Sequence, residues 1–196
     1  MDEKGWMEPV GPEYAFDEPE FMAEFGRAMA AWGNVEHALS SVFASILNAP
    51  QPQHARSAFH SVVSFRDRLN LIDAPMEMVT GSFPGEQWSQ VRMDWNKLKE
   101  VARKSSRLRN KLAHMHVWHS PSIGTFGHDD ITSVVELPSD PVERKRVVVT
   151  VDKIRQYRKS FDNCAKRINT FRKKLLEEMA NPMRDVIMPQ EADSQD

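Results

Sequence analysis

The chain has 196 residues and a mass of 22.5 kDa, which suits one domain with a real core and flexible ends. Its formal net charge is -2, with 40% hydrophobic and 28% charged residues, so no global basic excess marks a nucleic-acid binder and any such contact must come from a local patch. The single cysteine, Cys164, excludes an internal disulfide, and no run of about 18 apolar residues is long enough to span a membrane. The acidic, Pro/Gly-punctuated start is unlike a signal peptide, and the expected location is the cytoplasm.

Residues 1–16 read as a flexible arm. Asp17-Glu18-Pro19 can start a helix, with acidic residues and a proline in its first turn. Phe21, Phe25, Met29, Trp32, Val35, Leu39, Val42 and Ile46 then recur at three- and four-residue spacing, which predicts one long helix ending near Asn48-Ala49-Pro50. Gly33 inside it costs about 1 kcal/mol relative to alanine unless close packing requires it. A second helix is predicted from Pro52, with Ala55, Phe59, Val62, Val63, Phe65, Leu69 and Ile72 on its apolar face. Pro75 should kink or end it before a turn over Gly81 to Gly85.

The third helix is predicted from Glu86, its stripe running through Trp88, Val91, Trp95, Leu98, Val101, Ala102, Leu108 and Leu112 towards Val117. The period then changes. His116 to His119, Ile131 to Leu137 and Arg144 to Val151 are short β-favouring runs separated by turn residues, so 116–151 reads as a β-hairpin or small meander. Asp152 can cap the last helix, whose stripe (Ile154, Tyr157, Phe161, Cys164, Ile168, Phe171, Leu175, Met179) keeps a 3-4 spacing until Asn181-Pro182. Residues 181–196 read as a disordered tail. The expected architecture is mainly α: an antiparallel bundle of about four long helices over 17–180, with a β-hairpin inserted before the last one.

The chemistry-bearing stretch is Arg107-Leu108-Arg109-Asn110-Lys111-Leu112-Ala113-His114. Asn110 and His114 are four apart and share a helix face, while Arg109 lies about 140° from His114 and must reach round on its long side chain. A permanent cation, an amide and an imidazole that titrates near neutrality are the groups that RNA cleavage needs without a metal. The imidazole can take the 2′-hydroxyl proton or protonate the departing 5′-oxygen, and the guanidinium can hold the phosphate as its charge grows. One imidazole does not easily do both, so the chemistry favours a homodimer with the site at its seam. The structural alternative is an Arg and a His lining a helix end, with His114 capping carbonyls.

Arg109-Asn110-Lys111-Leu112-Ala113-His114 resembles the R-N-x-x-x-H form of the motif of the HEPN superfamily (higher eukaryote and prokaryote nucleotide-binding domains). Trp32-Gly33-Asn34-Val35-Glu36-His37-Ala38-Leu39 resembles the aromatic-Gly-x-x-Glu-x-x-Leu pattern of many bacterial members. The similarity covers roughly residues 20–180. It implies a homodimeric, metal-independent endoribonuclease without a cofactor, of the kind that serves as a toxin, a phage-defence effector or an RNA-processing enzyme. Arg109 and His114 would then be catalytic and Asn110 would help to orient them, with Glu36 pairing with Arg109 from a facing helix. The RNA would be guided by Arg103, Lys104, Arg107 and Lys111. The alternative that the resemblance carries is a non-catalytic helical module that binds a separate antitoxin protein or a nucleotide.

Two further patterns carry weaker signals. His114, His116 and His119 form a histidine cluster, but a helix end near His116 keeps them off one face and no cysteine or carboxylate stands close, so a polar rim is favoured over a metal site. The basic run of the last helix (Arg155, Arg158, Lys159, Lys166, Arg167, Arg172, Lys173, Lys174) could track phosphates, although a solvated face is the default.

Overall fold

A computed structural model describes residues 19–118, 133–136 and 147–181; the expected N-terminal arm and nearly all of the expected tail lie outside them. The described protein is a helical bundle of five α-helices: α1 (Pro19–Ile46), α2 (Pro52–Ser61), α3 (Phe65–Ser82), α4 (Glu86–Ala113) and α5 (Val151–Ala180). Between α4 and α5 lie three short segments, β1 (Met115–Trp118), β2 (Ser133–Glu136) and β3 (Val147–Val149). Their backbones pair antiparallel in the order β1-β2-β3, with His116 opposite Val135 and Val135 opposite Val148. The rest of the expected 116–151 hairpin, including the connections between these segments, lies outside the described residues.

The apolar stripes go where their periodicity sends them. Ile154, Tyr157, Phe161, Cys164, Ile168, Phe171 and Leu175 of α5 are all buried, as are Phe21, Trp32, Val35, Leu39, Val42 and Ile46 of α1. Trp32 packs edge-on against Phe161, with ring centroids 5.5 Å apart, and Trp95 lies 5.8 Å from Phe171. Burial also pushes the Cys164 thiol up, against the opposing pull of a hydrogen bond with Ser105.

Three expectations are corrected. The predicted second helix is two helices, broken at 62–64. There Ser64 leaves the helical conformation and its hydroxyl accepts from the Asp67 N–H at 3.3 Å, restarting the chain as α3. Pro75 does not end α3, which continues to Ser82: one missing amide is tolerated while Leu69, Ile72 and Met76 are buried around it. The cap of α5 is Thr150, whose hydroxyl accepts from the Lys153 N–H at 3.2 Å, and Asp152 instead sits in the first turn, where its charge suits the helix dipole. A fourth point concerns α4, which stops at Ala113 rather than reaching Val117, with His114 as its C-cap residue.

The break also sets helix directions. Trp32 meets Phe65 and Glu36 meets Arg68, so the start of α3 runs parallel to α1. Asp73 meets Trp95, and Glu77 meets Arg92, so α4 returns antiparallel to α3. Asp94 with Lys174 and Trp95 with Phe171 make α5 antiparallel to α4, and hence parallel to α1 along the face where Trp32 meets Phe161.

Candidate active site

The restart at Ser64 brings the first turn of α3 against the middle of α1 and the last turns of α4. The three elements enclose a cavity of about 410 Å³. Trp32 and Glu36 come from α1, Arg66 and Arg68 from α3, and Ser106, Arg109 and Asn110 from α4. Three arginines and one glutamate are thus among its lining residues.

That carboxylate is already engaged. Arg68 donates through Nη1 to Glu36 Oε1 at 2.6 Å and through Nε to the Val62 carbonyl at 2.6 Å, and its guanidinium lies 5.8 Å from the Phe59 ring centroid. The expected Glu36–Arg109 pair is therefore not formed, because Arg68 neutralises Glu36 first. Arg109 instead donates from Nη1 to Asn110 Oδ1 at 3.2 Å. Its Nε is buried and finds no acceptor, and neither does the indole N–H of Trp32, a residue only 3% exposed. Both belong to residues that line the cavity, while Arg56, Gln87 and Arg158 carry such donors elsewhere in the bundle. Arg66 forms no ion pair among the described residues, so the residues that line the cavity carry a surplus of positive charge suited to an oxyanion.

His114 is placed differently. It is exposed, its backbone N–H closes the helix by donating to the Asn110 carbonyl at 3.0 Å, and it is not among the residues that line the cavity. The structure thus brings Arg109 and Asn110 together on the cavity wall and leaves the His114 imidazole outside. Of the expected guiding cations, Lys104, Arg107 and Lys111 are exposed, and Arg103 pairs with Glu100 at 2.6 Å. Among the described residues no three His, Cys, Asp or Glu side chains gather to hold a metal ion, and His119 lies outside those residues. Among the same residues no helix is long and apolar enough to cross a membrane.

Arg66 and Arg68 are the wall residues that sequence reasoning missed. Their signal was the Ser64-x-x-Asp67 pattern, an N-terminal capping signature that marks a helix start two residues before the first of them. No protein-family model matches the chain, and neither a curated protein nor a solved structure matches it significantly.

Proposed function

We propose that the chain is a metal-independent endoribonuclease of HEPN type, a toxin or phage-defence effector that acts as a homodimer. The strand segment between α4 and α5 is then the hairpin insertion of a HEPN-like bundle. The reading rests on the end of α4, where Arg109, steadied by Asn110, lines a cation-rich cavity while His114 stands exposed at the helix end. Arg109 would hold the scissile phosphate. An imidazole removes the 2′-hydroxyl proton, the 2′-oxygen attacks phosphorus, and the P–O5′ bond breaks to give a 2′,3′-cyclic phosphate and a 5′-hydroxyl. A second imidazole returns a proton to the departing oxygen. Two such groups are available where two α4 ends meet across a two-fold axis, and an outward-facing His114 fits that arrangement.

The test is incubation of the purified protein with EDTA and a pool of small RNAs that includes tRNA, beside the His114→Ala variant. Cleavage by the parent alone is the expected result. Cleavage that EDTA abolishes, or that survives in the variant, would overturn the proposal. The donor-rich cavity also supports a second reading, a non-catalytic module that binds a nucleotide or an antitoxin protein. Absence of cleavage together with ligand binding that Arg109→Ala abolishes would favour it.

A further inference from the structure

The basic residues of α4 and α5 are not alike. Several are committed within the bundle: Arg155 pairs with Glu20 and Asp152, Arg158 faces Glu24, Arg172 donates to Ser45, and Lys99 holds Asp73. Lys97, Lys166 and Arg167 are exposed and form no ion pair among the described residues, yet they line one cleft of about 330 Å³ between α4 and α5. The fourth cation there, Lys174, is balanced by Asp94 at 2.7 Å, so the cleft keeps a surplus of three positive charges in a chain whose net charge is -2. Buried Leu98 and Phe171 form its floor, and an apolar floor weakens the solvent screening of those charges.

Helix geometry extends the cleft. Positions seven apart fall about 20° apart around a helix and about 10.5 Å apart along it. Lys104 thus follows Lys97 on α4, and Lys159 precedes Lys166 on α5; both are exposed. Because α4 and α5 are antiparallel, both steps lead the same way, towards the end of α4 that carries Arg109 and His114. Arg109 itself lies 12 residues beyond Lys97, about 18 Å along the axis.

We infer that the α4/α5 cleft is a phosphate-binding exosite that holds a segment of single-stranded RNA remote from Arg109. The identity of the strand rests on the endoribonuclease reading; the cation-lined cleft does not. A mononucleotide could neutralise Lys97, Lys166 and Arg167 but would leave the flanking lysines unmatched, whereas the spaced phosphates of a strand meet them in succession.

The test uses full-length His114→Ala protein, which separates binding from cleavage, and a fluorescein-labelled single-stranded RNA of about 12 nucleotides. Binding is measured against salt concentration, with and without the added Lys97→Gln/Lys166→Gln/Arg167→Gln changes. Each lost phosphate contact should flatten the plot of log affinity against log salt by about 0.7, so the triple change flattens it by about 2. An Arg92→Gln/Lys153→Gln control, which removes charges away from the seam, should leave the slope unchanged. Circular dichroism confirms that each variant is folded. An unchanged slope in the triple variant would overturn the exosite. So would a mononucleotide triphosphate that binds as tightly as the RNA and displaces it, because the cleft would then be a nucleotide pocket. A cleft-dependent slope in a protein whose parent cuts no RNA would keep the exosite and remove the enzyme.

Discussion

Replacing Arg68 with methionine tests both the fastening of the cavity and the state of Glu36. Arg68 and Glu36 are 14% and 24% exposed, too enclosed for the 0–1 kcal/mol of a typical surface pair and too open for a fully buried one. Arg68→Met keeps much of the stem over Phe59 but removes the hydrogen bonds to Glu36 and to the Val62 carbonyl, leaving a half-buried carboxylate and a carbonyl unmet. Charge-assisted bonds contribute about 1.5–3 kcal/mol each, and part of the loss is recovered by water, so the expected cost is about 2–3 kcal/mol. For a domain of this size that lowers the Tm by about 5–10 °C. Glu36→Gln/Arg68→Met removes the stranded charge as well and should be clearly more stable than the sum of the single changes predicts. Glu36 shares the cavity wall with Arg109, so a freed carboxylate becomes a counter-ion for it; RNA cleavage should fall in Arg68→Met and return in the double variant. Thermal and urea unfolding provide the measurement. An Arg68→Met protein as stable as its parent, or energies that add without coupling, would refute the view that this pair fastens the start of α3 to α1.

Three further outcomes are expected. A Cβ at Gly33 would meet no atom within 4 Å, so packing does not require the glycine and Gly33→Ala should stabilise the protein by about 0.5–1 kcal/mol in urea unfolding. The hydrogen bond from Lys174, opposed by burial, holds the Asp94 carboxyl below the usual carboxylate range. A depressed folded pKa contributes stability above the unfolded value of about 3.9 and loses it as pH falls through the lower folded value. Asp94→Asn should therefore cost up to about 1 kcal/mol at neutral pH, and the gap from the parent should close well below pH of about 3.9. Mixing equal amounts of parent and His114→Ala protein, with subunit exchange, should lower cleavage to about a quarter of that of the same total of parent protein, because only about one in four randomly assorted dimers keeps both imidazoles. A fall to about half would mean that each chain acts alone.

Much of the bundle was legible because burial imposes helical periodicity on the sequence. The α5 stripe is the clearest example, for seven of its eight positions are buried and Met179 is partly so. The break at 62–64 was hidden because Val62 and Val63 continue the apolar pattern across it. Val63 is nevertheless 94% exposed, so hydrophobicity misled where the Ser64 cap signature was informative. Arg109 and Asn110 stood out by spacing along one helix. The partner of Glu36 did not, since choosing between Arg68 and Arg109 requires knowing which way α3 runs.

The break at 62–64 explains the form of the candidate site. Had the segment from Pro52 to Ser82 remained one helix, Arg66 and Arg68 would have continued in the direction of α2. The restart at Ser64 instead turns them back beside Trp32, Glu36 and Arg109, where they supply a cationic wall and neutralise the one carboxylate on it. At the other end of the motif, β1 begins one residue after His114, whose backbone has already closed α4, so the helix that positions Arg109 cannot carry the imidazole further. Under the proposed function, the groups that would hold an anion are therefore gathered inside one chain while the imidazole that would move the proton is left at its surface. Such a division suits chemistry completed by a second copy, and it makes the disproportionate loss of activity on mixing parent with His114→Ala protein a more discriminating measurement than the loss of activity in the variant alone.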